Sequence, residues 1–154
     1  MNVWRLCSSE HTAFDGEGAR LYGGRWNFRG TRMVYTSSSR SLALLEKLVH
    51  TDSDLLPADL VFIGADFADE LVETLDPTTI SPNWRDPQPP PELAAFGSRW
   101  AAENRSIVLR VPSVPMPYEY NYLINPAHPD FRRRVVVGHP EPFALDLRIE
   151  LPRG

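Results

Sequence analysis

The chain has one cysteine, Cys7, and one lysine, Lys47. A lone cysteine excludes an internal disulfide and suits a reducing, cytoplasmic setting. Nothing beside Cys7 in the sequence offers a base to activate it as a nucleophile. No run of about 18 apolar residues occurs, as a membrane-crossing helix would need. The opening MNVWRLCSSE has no apolar segment of the kind that directs export. Neither secretion nor a membrane span is therefore expected. The four histidines (His11, His50, His128 and His139) are scattered without metal-ligand spacing, so no metal site is expected. There is no P-loop and no G-x-S-x-G elbow, and Gly16 and Gly18 have no strand-then-helix pattern around them. Net charge is -4, which argues against direct nucleic-acid binding. An RNase of the usual kind would want a clustered His/Lys or His/Arg site on a basic surface, whereas the histidines here are dispersed and Lys47 is the single lysine.

What is present suits one compact domain, 1–154, with 42% hydrophobic residues to build its core. Fifteen prolines, mostly between residues 77 and 142, predict short strands and defined loops in that half. DPQPPPE (86–92) reads as a surface loop. Strands are expected at 2–6, 33–36, 59–67, 106–112, 133–138 and 143–149. YNYLIN (120–125) is ambiguous. Residues 14–31, rich in glycine, arginine and aromatics, read as a structured loop. Helices are expected from a serine cap within Ser37 to Ser39 to about His50, and over 91–104 with Pro91 in the first turn and Gly97 as a weak point. The order shows no regular βαβ alternation. It predicts an α+β domain with a mixed or antiparallel sheet.

Chemistry-bearing residues gather in YGGRWNFRGTRMVYTSSSRSLALLEKLVH (22–50). Stepping about 100° per residue from Leu42 puts Leu45, Leu48 and Val49 at about 240° to 340°. Glu46 falls at about 40° and His50 at about 80°, so Glu46 is expected at the rim of the buried face, as a cleft carboxylate or in an ordinary salt bridge. Arg25 follows two glycines, a good presentation for a forked anion clamp, or else it braces its own loop. Arg20, Arg29 and Arg32 add local positive charge. Trp26 either stacks on a planar ligand or plugs the core. Tyr35 is a ring platform or a core residue. The serines cap the helix or use its N-terminus for an anion. In the second half, Ser113 is held between Pro112 and Pro115, with Asn121, Asn125 and His128 following; a Ser–His hydrolase has no identifiable acid partner here.

Two stretches, GGRWNFRGTRMVYTSSSRSLALLEKLVH and SIVLRVPSVPMPYEYNYLINPAHPDF, in that order, resemble the RES domain, named for an arginine, a glutamate and a serine. The resemblance implies a fold similar to ADP-ribosyltransferases. It implies a toxin of a bacterial toxin–antitoxin pair that uses NAD⁺ as substrate and cleaves its nicotinamide–ribose bond, by hydrolysis or by phosphorolysis with phosphate as co-substrate. Others of the kind are similar to transferases that modify a protein, and a non-catalytic nucleotide- or protein-binding module is the third reading. On this resemblance Arg25, Tyr35, Glu46 and Ser113 are the catalytic set, with Ser106 and Ser37 as competitors for the family serine. Trp26, Ser37 and Asn121 join Arg25, Tyr35, Glu46 and Ser113 as residues expected to contact the dinucleotide. Glu46 would stabilise the cationic ribose, Arg25 would hold the pyrophosphate, Tyr35 would stack near nicotinamide and Ser113 would hydrogen-bond carboxamide or ribose. The resemblance also implies an antitoxin with a helix-turn-helix DNA-binding part, and a homodimer within such a complex is compatible with it.

Overall fold

The computed structural model describes residues 1–51 and 56–149. Among the described residues eight strands form one sheet: β1 (Asn2–Ser8), β2 (Val34–Ser37), β3 (Leu60–Asp66), β4 (Val72–Thr74), β5 (Val108–Pro112), β6 (Tyr120–Ile124), β7 (Val136–Val137) and β8 (Glu141–Pro142). The order is β4-β5-β6-β2-β1-β3-β7, with β8 also on β3. Of these strands β4 and β5 run parallel, and the other pairs named are antiparallel. Helices α1 (Glu17–Tyr22), α2 (Arg40–His50), α3 (Pro91–Ala102) and α4 (Phe131–Arg134) complete an α+β domain of the expected class.

The central strands are apolar on both faces and are covered on both. Val3, Val34, Ala65, Val108 and Ile124 meet on one side. Trp100 and Leu93 of α3 meet Met33, Leu109, Val111 and Leu123 on the other. Such continuous burial explains why β3 reads as an apolar run rather than an alternating strand.

Residues 14–31 are not wholly loop, because Glu17–Tyr22 forms helix α1. Asp15 Oδ1 accepts the Glu17 N–H at 3.0 Å, and Glu17 pairs with Arg20 one turn on. These local bonds offset the flanking glycines. The closing strand expected at 143–149 does not form. Phe143 still donates to Leu60 O at 2.9 Å, but Asp146 then folds back on Arg148 and Leu147 faces solvent. Alternation there has no neighbouring strand to pair with. At 133–138 only Val136–Val137 pairs, since the arginines before it turn as α4 on the carbonyl of Asp130. The ambiguous YNYLIN is β6, paired along its length with both β2 and β5.

Helix α2 carries Glu46. Ser39 is its cap, accepting from Leu42 N at 3.1 Å. Its docked face centres on Leu42 and Ala43, with Val49 exposed, so the helix is turned from the Leu45–Leu48–Val49 face that periodicity favoured. Leucines at 42, 44, 45 and 48 spread over about 160° of one side of the helix, an arc broad enough that its centre need not be the docked face. The small Ala43 settles it by packing among Leu6, Leu60 and Phe62. That rotation brings Glu46 inward, beside the ends of β2 and β6.

Candidate active site

Strands β1 and β2 are in register at one pair, Trp4 with Ser37. Consecutive residues Trp4 to Cys7 and Met33 to Ser37 line a cleft of about 640 Å³. A fully paired strand sends alternate side chains to opposite faces. Consecutive lining therefore means that the sheet opens here. Helix α1 and the following glycines form one wall, and Glu46, Lys47 and His50 of α2 form the other. The volume lies within the ordinary range for small-ligand sites, roughly 300–1,000 Å³.

Two carboxylates line the cleft: Glu17, which is paired with Arg20 and Arg32, and Glu46, whose side chain is 18% exposed. One oxygen, Oε1, accepts from Ser113 Oγ at 2.8 Å and from Asn121 Nδ2 at 2.6 Å. The other, Oε2, lies 3.4 Å from His50 Nε2. The donors are themselves oriented. Ser113 Oγ accepts the Met116 N–H at 3.2 Å, which leaves its own proton for Glu46. Asn121 Oδ1 accepts from Ser37 Oγ at 2.8 Å, which turns its amide nitrogen toward the carboxylate. Burial pushes the Glu46 pKa up, but the bonds from His50, Asn121 and Ser113 outweigh it and hold the group below the usual carboxylate range. The cleft thus contains a fixed negative charge at neutral pH.

Ser113 is 2% exposed and lies behind Glu46, outside the cleft lining. Ser37 and Asn121 do line it. The serine run divides its labour: Ser37 orients Asn121, the Ser38 N–H donates to Tyr120 O, and Ser39 caps α2.

Arg25 lines the opposite wall. Its Nη1 donates to the carbonyls of Trp84 (2.8 Å) and Asp86 (3.0 Å), and its Nη2 donates to Asp86 O (3.0 Å). It braces the 84–86 loop rather than its own. A guanidinium has five N–H donors, so two remain for an anion. Burial lowers its pKa, against the opposing pull of Glu46.

Tyr35 presents its ring to the cleft while its hydroxyl turns away. That hydroxyl accepts from Trp26 N at 3.1 Å and donates to Asn27 Oδ1 at 2.7 Å. Burial raises its pKa far above the ordinary tyrosine value, so it stays protonated. Trp26 is in the core with Leu93 and Trp100 and does not reach the cleft. Asn27, which sequence reasoning passed over, is 1% exposed and donates to the carbonyls of Ala19, Phe28 and Thr31. Its only sequence signal was a polar residue amid a glycine-rich turn.

The other sequence candidates are engaged elsewhere. Ser106 accepts from Trp100 Nε1 at 2.8 Å, at the far end of β5 from Ser113. His128 Nδ1 accepts from Asp130 N, and Asn125 ties Ala101 to Asn104. Arg20 and Arg32 both pair with Glu17, so the expected arginine cluster narrows at the cleft to Arg25. Arg5, Lys47 and His50 line the cleft without having been singled out as its basic residues.

The RES domain model matches residues 2–146. The chain is 37% identical over 151 residues to the "Toxin Res" of Photorhabdus laumondii, covering 97% of each chain. It is 41% identical over 137 residues to the "Prs ADP-ribosylating toxin" of a Sphingobium species, covering 84% of each. It is 34% identical over 152 residues to the "Toxin Res" of Yersinia enterocolitica, covering 97% of this chain and 100% of that one. The chain belongs to the RES domain family. Its fold is that of a chain in the crystal structure of the Mycobacterium tuberculosis MbcT–MbcA toxin–antitoxin complex, with a TM-score of 0.73, 17% identity, and 93% of this chain and 84% of that one covered.

Proposed function

We propose that this protein is the toxin of a toxin–antitoxin pair and that it consumes NAD⁺ by breaking the nicotinamide–ribose bond. The observation that carries this reading is the Ser113–Glu46–Asn121 constellation: an ionised, half-buried carboxylate with one oxygen held by two oriented donors. When the bond between ribose C1′ and the nicotinamide nitrogen breaks, its electron pair leaves with nicotinamide and neutralises that ring's charge. Positive charge passes to the ribose. A preorganised carboxylate about 3 Å away stabilises it without reorganising, which is the most effective form of electrostatic catalysis. Glu46 Oε2 is the oxygen left to face the sugar, with His50 beside it. The Tyr35 ring supplies a flat apolar wall for nicotinamide, and the two free donors of Arg25 fit a pyrophosphate oxygen.

The acceptor's oxygen then bonds to C1′ and gives up its proton. Water yields ADP-ribose, and phosphate yields ADP-ribose carrying phosphate. A side chain of a target protein is the third acceptor, favoured by the 41% identical relative whose name specifies ADP-ribosylation. An antitoxin with a helix-turn-helix DNA-binding part would cover the cleft and carry any DNA binding, in keeping with the net charge of -4 here. The whole span 1–154 acts as one domain in this scheme, in the cytoplasm.

The test is brief expression without a partner, beside Glu46→Gln, with intracellular NAD⁺ and its products measured by mass spectrometry. NAD⁺ should collapse only with the unaltered chain, and the product mass names the acceptor. Steady NAD⁺ with arrested growth would move the reading to a modified protein target. Arrest that survives Glu46→Gln would overturn the enzymatic reading.

A further inference from the structure

The cleft does not end at Arg25. Beyond it a shallower groove of about 280 Å³ runs between the 27–29 turn and the start of α3. Cleft and groove share Tyr22, Gly23, Gly24 and Arg25. The two glycines form a saddle between them with no side chain in the way. Neither is easily replaced. Gly23 has φ +72, and a Cβ on Gly24 would stand 2.6 Å from the Tyr35 hydroxyl. Both of their N–H groups are used internally, by Ala19 O and Asn27 O. Arg25 is therefore the donor at the crossing.

The groove is lined by flat apolar faces: Tyr22, Phe28 and Pro89 to Pro91, with Arg29 at its edge. Tyr22 is 76% exposed and Phe28 47%. An aromatic pair left in water needs an explanation. The turn that carries Phe28 is anchored. Phe28 N donates to Ser98 Oγ at 2.9 Å, and Asn27 fixes the turn through three carbonyls. Gly97 lets α3 approach so closely that a Cβ would sit 1.9 Å from Trp26 O.

We infer that this groove is the seat of the adenosine half of the dinucleotide, with the pyrophosphate crossing the Gly23–Gly24 saddle beside Arg25 and the nicotinamide ribose reaching Glu46. This rests on the NAD⁺ reading of the cleft. A purine has two apolar faces and a polar rim, which matches ring and proline walls edged by an arginine. Base stacking on aromatic side chains tolerates any purine orientation that keeps the faces covered. The division also separates tasks: the groove supplies affinity and the Glu46 end supplies charge stabilisation.

The test uses the full-length Glu46→Gln protein, so that nothing is consumed, and calorimetric titration with AMP and with nicotinamide mononucleotide as separate probes. Phe28 lines the groove and not the cleft. Phe28→Ala should weaken AMP about tenfold or more, by the loss of one stacking partner. It should leave nicotinamide mononucleotide within about twofold, and Phe28→Trp should restore AMP. Equal weakening of both probes would mean that the turn has collapsed and would overturn the assignment. AMP binding unchanged by Phe28→Ala, or undetectable in the parent, would also overturn it. NAD⁺ consumption by the unaltered chain is scored separately. AMP binding lost with Phe28→Ala, in a chain that consumes no NAD⁺, would leave the groove standing as a nucleotide site and sink the enzymatic reading. Consumption without a Phe28 effect on AMP would do the reverse.

Discussion

Ser113 donates its hydroxyl to Oε1 of Glu46 at 2.8 Å, across 67 positions of sequence. Ser113 does not line the cleft, so on the proposed reading it would act only through the carboxylate it holds. Ser113→Ala should lower kcat for NAD⁺ consumption by about tenfold or more while KM changes little, because the lost interaction orients a group that matters in the transition state. It also strips a partner from Met116 N, at a stability cost of about 1–3 kcal/mol. Steady-state kinetics beside thermal melting separates the two effects. A change in KM alone would place Ser113 in substrate binding instead.

Glu46 predicts a pH profile. Its carboxyl is held below the usual range, so it stays ionised as pH falls past the ordinary glutamate value of about 4.3. A group with a depressed folded pKa stabilises the fold above its unfolded pKa, and that contribution is lost as pH falls through the folded pKa. Melting temperature should therefore drop on acidification below about pH 4, and less steeply in Glu46→Gln. His50→Gln removes a contributor to the shift, so the acid limb of activity should move to higher pH. An unchanged acid limb would show that Glu46 does not set it.

Tyr35→Phe distinguishes ring from hydroxyl. The hydroxyl holds Trp26 N and Asn27 Oδ1 and stays protonated. Its removal should cost about 1–3 kcal/mol in denaturant unfolding, as two buried partners lose their bond. Activity of the folded fraction should remain within a few-fold, since the ring stays in the cleft wall. A loss of a hundredfold in that fraction would assign the hydroxyl a direct chemical role.

Gly97→Ala should destabilise the protein strongly. Its Cβ would meet the backbone Trp26 O at 1.9 Å, and relief requires α3 to move from the 26–28 turn. Overpacking of this kind costs about 1–3 kcal/mol and sometimes more. Gly18→Ala, with open space around it, is the control and should melt near the parent.

The candidate site was unevenly legible in the sequence. Arg25, Tyr35, Glu46 and Ser113 were picked out by type and by the RES resemblance, and the structure brings Ser113 and Asn121 together on one oxygen of Glu46. Arg25 and Tyr35 were legible as cleft residues but not in their bonding, because their partners, the Trp84 and Asp86 carbonyls and Asn27, carry no pattern. The arginine cluster misled because Glu17 pairs with two of its members. The rotation of α2 escaped periodicity because its leucines spread over a broad arc with Leu42 at one edge, and the docked face centres on that edge and on Ala43.

By itself the sequence determined the α+β class, the principal strands and helices of the core, and the capped helix that carries Glu46. These depend on local physics: apolar patterning, caps, and the restrictions of proline and glycine. Only the tertiary structure decided which oxygen of Glu46 is held, that Ser113 rather than Ser106 holds it, that Trp26 is core, and that Gly23 and Gly24 join cleft to groove. Those outcomes depend on where the sheet opens between β1 and β2 and on how closely α3 approaches the 26–28 turn, and such long-range packing leaves no periodic trace in the chain.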